Sequence, residues 1–126
     1  MTEFDDDTKW ILVVDDEPAV RAFIERALNY AGYGVFAAAD ANEALSALQK
    51  KKYDLMLTDI VMPDMDGIAL ALKVSKDFPE MKILMMTGYA HQKDRAHNLY
   101  FLVNQVISKP FSLDEITQKV GLALKT

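Results

Sequence analysis

The sequence has no cysteine, so neither disulfides nor thiolate-bound metals are available to it. That absence fits a reducing compartment, and a cytoplasmic location is expected. No apolar run approaches the ~20 residues of a membrane-spanning helix, and no secretory leader is visible. Basic charge is scarce: 14 Lys and Arg stand against 19 Asp and Glu, a net charge of −5. Bulk nucleic-acid binding needs a basic face, so neither nucleic acid nor membrane is expected as a partner. There are only two histidines, His91 and His97. Neither has a partner at metal-ligand spacing, and both read as solvated or structural. Internal repeats, linkers and low-complexity tracts are missing as well.

What is present is enough for one domain. The chain has 126 residues, 51% of them hydrophobic and 26% charged, and can bury a core without staples. Residues 1–9 are polar and include Asp5, Asp6 and Asp7, which predicts a flexible N-terminal segment. The folded domain is expected over residues 10–126.

Within it, strand and helix signals alternate. Trp10 to Val14 is a short apolar run, the mark of a strand buried on both faces. Pro18 opens a helix whose stripe is Val20, Phe23, Ile24, Ala27, Leu28 and Ala31, with Gly32 and Gly34 closing it. Val35 to Ala39 predicts a second strand, and Asp40 caps a helix with Ala44, Leu45 and Leu48 on its apolar face. Tyr53 to Thr58 is the third strand and feeds Asp59. Pro63 and Gly67 punctuate the loop that follows, with Asp64 and Asp66 as turn residues. The next helix carries Ile68, Leu70, Ala71, Leu72 and Val74 and stops at Phe78-Pro79. Lys82 to Met86 is the fourth strand, His91 to Leu99 a short helix, and Asn104 to Ser108 the fifth strand. Ser112 and Glu115 form a capping box for the last helix.

Five strands alternating with five helices predict an α/β fold: a flavodoxin-like (βα)5 three-layer sandwich around a parallel sheet of order 2-1-3-4-5. Ligands of such sheets bind beyond the carboxyl ends of the strands. The residues ending the strands there are Asp15 and Asp16, Asp59, Thr87 and Lys109. Each alone is ordinary: a turn former, a helix cap or a surface lysine. Their convergence on one edge is what argues for chemistry. Three crowded carboxylates repel unless a cation neutralises them, and hard oxygen ligands suit Mg²⁺, with Mn²⁺ a possible substitute. A carboxylate beside such an ion can attack phosphorus to give an aspartyl-phosphate. Lys109 and the Thr87 hydroxyl would then serve the phosphate oxygens.

Four fragments, Val13-Val-Asp-Asp-Glu17, Leu57-Thr-Asp-Ile-Val-Met-Pro-Asp-Met-Asp-Gly67, Met86-Thr-Gly88 and Ser108-Lys-Pro-Phe111, occur in an order that resembles the receiver domains of two-component response regulators, CheY-like proteins. The resemblance runs from Ile11 to Leu124. It implies that Asp59 accepts a phosphoryl group from a sensor histidine kinase or a histidine phosphotransferase. It implies Asp16 and Asp59 as direct Mg²⁺ ligands, with the Val61 carbonyl as a third and Asp15 acting through water. Thr87 and Lys109 match the hydroxyl and the lysine, and Lys109-Pro110 is compatible with a cis bond. Two departures stand out. Val106 occupies the position where many receivers carry a switching aromatic, and Leu102-Val103 replaces a usual Gly-Ala pair. Tyr89, two residues after Thr87, is read as exposed.

Met86-Thr-Gly-Tyr-Ala90 and Ile107-Ser-Lys-Pro-Phe-Ser-Leu113 are similar to the alphaproteobacterial CpdR-type single-domain regulators. That resemblance implies an adaptor that steers substrates to a ClpXP-type protease. The expectation is therefore a regulator with no DNA-binding output, acting by protein contact, and no enzyme beyond catalysing its own phosphorylation and dephosphorylation. Two other functions compete. An Mg²⁺-dependent phosphohydrolase using Asp59 would want a second acid two residues on, where Val61 stands. A degenerate receiver used only as an interaction surface would have no need to retain all five site residues.

Overall fold

The computed structural model describes residues 7–62, 65–88 and 105–125. The expectations placed on residues 1–6, Pro63, Asp64, Tyr89, the helix His91 to Leu99 and the pair Leu102-Val103 lie outside them. Five strands, β1 (Trp10–Val14), β2 (Gly34–Ala38), β3 (Leu55–Asp59), β4 (Lys82–Thr87) and β5 (Gln105–Ser108), form one parallel sheet of order β2-β1-β3-β4-β5. Four helices are described: α1 (Pro18–Tyr30), α2 (Ala41–Lys50), α3 (Gly67–Asp77) and α4 (Leu113–Lys125).

Successive side chains of a strand point to opposite faces, so a run such as Ile11-Leu-Val-Val14 serves two cores at once. Ile11, Val13, Leu55, Leu57, Leu84 and Met86 pack with Ile24 and Leu28 of α1 and Ile116 and Val120 of α4. Leu12, Val14, Met56, Ile83 and Met85 pack with Ala44 and Leu48 of α2 and Leu70 and Val74 of α3. The result is the three-layer sandwich expected from the alternation.

Helix ends follow their local chemistry. Pro18 opens α1. Gly32, at φ 102°, closes it: its N–H donates to the Asn29 carbonyl (3.0 Å), and the Tyr33 N–H reaches back to the Leu28 carbonyl (3.0 Å). This is the paired bonding of a Schellman motif, and a left-handed residue there favours glycine. Asp40 caps α2 by accepting from the Glu43 N–H at 2.8 Å. Ser112 and Glu115 exchange bonds of 3.1 and 2.9 Å at the start of α4, the expected capping box.

Several boundaries differ from expectation. Gly34 belongs to β2 rather than to the end of α1, and it pairs in register with Trp10. A Cβ at Gly34 would lie 2.6 Å from the Trp10 ring, so this glycine permits a close approach. The third strand starts at Leu55, not Tyr53. Asp54 precedes it as a tie: its carboxylate accepts the Trp10 N–H at 2.8 Å, while its own N–H donates to the Trp10 carbonyl at 2.8 Å. Asp66 is more than a turn residue; it caps α3 by accepting from the Ala69 N–H at 2.9 Å. Phe23 and Leu72 sit at the shoulders of their stripes and remain 38% and 45% exposed.

Candidate functional site

The carboxyl edge is assembled by register. Asp59 is the last residue of β3 and pairs with Met86, so Thr87 ends β4 one step beyond it. Thr87 in turn pairs with Ser108, and the Lys109 N–H donates to the Thr87 carbonyl at 2.8 Å. Asp15 continues β1, with its N–H bound to the Ala38 carbonyl of β2 at 3.1 Å. The expected residues from β1, β3, β4 and β5 thus share one edge. Asp15, Asp59 and Thr87 are buried, Lys109 is half-buried, and Asp16 and Val61 are exposed. The bond between Lys109 and Pro110 is cis.

Lys109 is the hub. Its Nζ lies 2.8 Å from Asp15 Oδ2, 3.4 Å from Asp59 Oδ2 and 3.7 Å from Glu17 Oε1. Burial works against the charged ammonium, but the hydrogen bond and charge of Asp15, joined by Asp59, outweigh it and hold the Lys109 pKa above its ordinary value. Asp59 is raised as well, from 3.8 to about 6, which for a carboxylate disfavours the charged form. Desolvation is the main cause; Lys109 opposes it, and the charges of Asp15 and Asp16 add to it. Among the described residues, Lys109 is the one ammonium in contact with these carboxylates.

Asp15, Asp16 and Asp59 each offer a carboxylate oxygen within 4.8 Å of the others. That donor set, all hard oxygen and partly open to solvent through Asp16, fits a small divalent cation that keeps some of its water. Asp15 is the most constrained member: Oδ1 accepts the Glu17 N–H at 2.9 Å while Oδ2 holds Lys109. Below the site, Gly67 packs its α-carbon against the backbone carbonyl of Asp59, where any Cβ would collide, and its N–H donates to the Ile60 carbonyl at 2.6 Å. Gly67 thus closes the loop after Asp59 by a contact that a side chain would block.

A scan against family models matches residues 11–121 to the response regulator receiver domain. The chain belongs to that family. Among curated relatives, the response regulator receiver protein CpdR of Brucella abortus is 37% identical over 112 residues, covering 89% of this chain and 93% of that protein. The chain spans about half the length of other curated relatives, 49% and 48% of two probable transcriptional regulators. A CheY-like receiver structure from Methanospirillum hungatei superposes with a TM-score of 0.87 at 34% identity, covering 94% of this chain and 95% of that one. The response regulator TrrA of Thermotoga maritima, solved in complex with Mg²⁺-BeF, gives a TM-score of 0.83 at 34% identity over 92% and 99% of the two chains. The receiver fold and the two-component assignment expected from the motifs therefore hold. Among the described residues, no helix is long and apolar enough to cross a membrane.

Two neighbours of this receiver's site were not legible as such. Glu17 looks like part of a turn, yet it adds a third carboxylate around Lys109. Arg21 looks like a polar position on α1, yet its Nη1 donates to the Asp15 carbonyl at 2.7 Å. Asp15 lies before α1 and six residues from Arg21, so no helical spacing links the two, and nothing in the sequence announces a side chain turning back to that carbonyl. Val106, noted above as a departure from the common receiver pattern, pairs with Met85 and packs against the α2/α3 core. An open apolar groove of about 460 Å³ lies beside Lys109, lined by Ala19, Val20, Phe23, Pro110 and Phe111.

Proposed function

We propose that this receiver takes a phosphoryl group on Asp59 from a histidine kinase or phosphotransferase, with Mg²⁺ held by Asp16, Asp59 and the Val61 carbonyl. Asp15 supports the ion through water. The observation that carries this reading is the placement of a buried carboxylate, Asp59, between one lysine and two further carboxylates. In the transfer, an Asp59 oxygen bonds to phosphorus as the bond to the donor's imidazole nitrogen breaks, and the imidazole leaves with the electron pair. When bound, the cation offsets charge on the phosphoryl oxygens and on the acidic cluster. Lys109, already within 3.4 Å of Asp59, pairs with a phosphoryl oxygen, and the Thr87 hydroxyl donates to another. The apolar groove beside Lys109 gives a protein donor a surface to rest on. The protein turns over no external substrate; it catalyses only the gain and loss of its own phosphoryl group.

Acetyl phosphate with Mg²⁺ is expected to add one phosphoryl group of about 80 Da, read by intact mass. Chelation with EDTA should prevent it. Labelling that is equal with and without EDTA would overturn the cation's role, and no labelling at all would overturn the phosphoacceptor reading.

For output, the 37% identity to CpdR over 93% of that protein favours contact with another protein, and we propose a ClpXP-type protease as the partner. Immobilised receiver, phosphorylated and unphosphorylated, is expected to retain the purified unfoldase in only one of the two states. Retention in neither state would reject the adaptor reading and leave the phosphoacceptor reading intact.

A further inference from the structure

Asp16 is exposed, and among the described residues no hydrogen bond or ion pair holds its carboxylate. Its aim therefore depends on its backbone. The peptide unit that leads into Asp16 is planar, so fixing the Asp15 carbonyl fixes the plane from which Asp16 departs. That carbonyl is held by a guanidinium: Arg21 Nη1 donates to it at 2.7 Å. Arg21 is itself anchored in the first turn of α1, where its N–H donates to the Glu17 carbonyl at 3.0 Å, and its side chain is half-buried. The other atoms of Asp15 are tied to β2, to Glu17 and to Lys109. Among the described residues, the Arg21 bond is the one that acts on the link to Asp16.

We propose that Arg21 is a positioning residue for the cation: by clamping the Asp15 carbonyl it aims the Asp16 carboxylate at the site shared with Asp59. This rests on the reading of Asp15, Asp16 and Asp59 as a cation site. A charged hydrogen bond of this kind is strong and directional. It differs in sign from a bare electrostatic effect. If Arg21 acted only as a nearby positive charge, removing it would tighten cation binding. As a clamp, its removal weakens binding.

The test is calorimetric titration of the full chain with MgCl₂. Arg21→Ala is expected to weaken Mg²⁺ binding by about tenfold, the usual loss when a group orienting a metal ligand is removed. Arg21→Lys, whose ammonium can donate to the same carbonyl, should recover most of the affinity. Arg21→Met keeps the apolar stem without the donor and should behave like Arg21→Ala, which covers the case in which the alanine variant does not fold. In acetyl phosphate labelling, Arg21→Ala or Arg21→Met should raise the Mg²⁺ concentration for half-maximal rate and leave the rate at saturating Mg²⁺ near that of wild type. Unchanged or tighter Mg²⁺ binding in both variants would overturn the clamp, as would a lower saturating rate with an unchanged half-point. Asp16→Asn is the reference: if it binds Mg²⁺ as wild type does, the cation reading itself fails, whatever Arg21 does.

Discussion

Asp59→Asn is expected to reduce acetyl phosphate labelling to background while wild type gains one group. The amide oxygen is a weak nucleophile, and the exchange leaves the shape of the site unchanged. Burial makes the assignment selective. Asp15 is fully buried and engaged by both Lys109 and the Glu17 N–H, whereas Asp16 is exposed at the rim. Asp59 alone ends the central strand with its carboxylate against Lys109 and both other acids within reach. Lys109→Ala should still label, but about a hundredfold more slowly, since it removes one preorganised charge from the developing phosphoryl oxygens. Equal labelling of wild type and Asp59→Asn, read by intact mass with peptide mapping, would move the acceptor elsewhere.

The second large effect is on stability. Asp59 is held protonated up to about pH 6 against an ordinary 3.8, so the folded chain binds more protons than the unfolded chain between those values. Stability therefore falls as pH rises through that window and levels off above it. The rise from 3.8 to about 6 corresponds to about 3 kcal/mol of destabilisation at neutral pH in the absence of a divalent cation. Asp59→Asn should relieve it: urea unfolding in EDTA at pH 7.5 should show the variant more stable by about 2–3 kcal/mol. The difference should shrink to about 0.5 kcal/mol near pH 4 and vanish below it. Adding Mg²⁺ should narrow the gap by stabilising wild type, by about 2.7 kcal/mol at a hundred times its dissociation constant. A variant less stable than wild type at pH 7.5 in EDTA would refute the strain assigned to Asp59.

The sheet and the edge chemistry were readable because they rest on local signals. Apolar runs of four to six residues, each broken by turn chemistry, located the strands, and the order then fixed which strand ends met. Ser112 and Glu115 stated the last helix start in two letters. The misses share another character. Asp66 sits in an Asp-x-Asp-Gly run that reads as loop, and its capping role needs the helix to begin at Gly67. Asp54 ties Trp10 across 44 residues of sequence, and no period announces such a contact. Phe23 and Leu72 count as stripe residues by spacing, but a stripe has shoulders, and only packing decides which side of the edge they fall on. Arg21 was invisible for the same reason: a polar residue on a helix says nothing about a carbonyl six residues back.

Trp10 gives the molecule a built-in optical gauge. Its indole lies across Gly34, faces the Lys51 ammonium 3.0 Å from the ring centroid and meets Tyr53 edge-on at 6.5 Å. These partners lead into or out of three different elements, and all gather at the amino edge of the sheet. Asp15 is five residues along, a strand's length of about 16 Å from the Trp10 backbone. The sole tryptophan therefore emits from a neighbourhood that exists only while the strand starts are closed together, and it is remote from any chemistry at Asp59. Its fluorescence can follow unfolding in every variant named above without registering whether the acidic edge is loaded, labelled or empty.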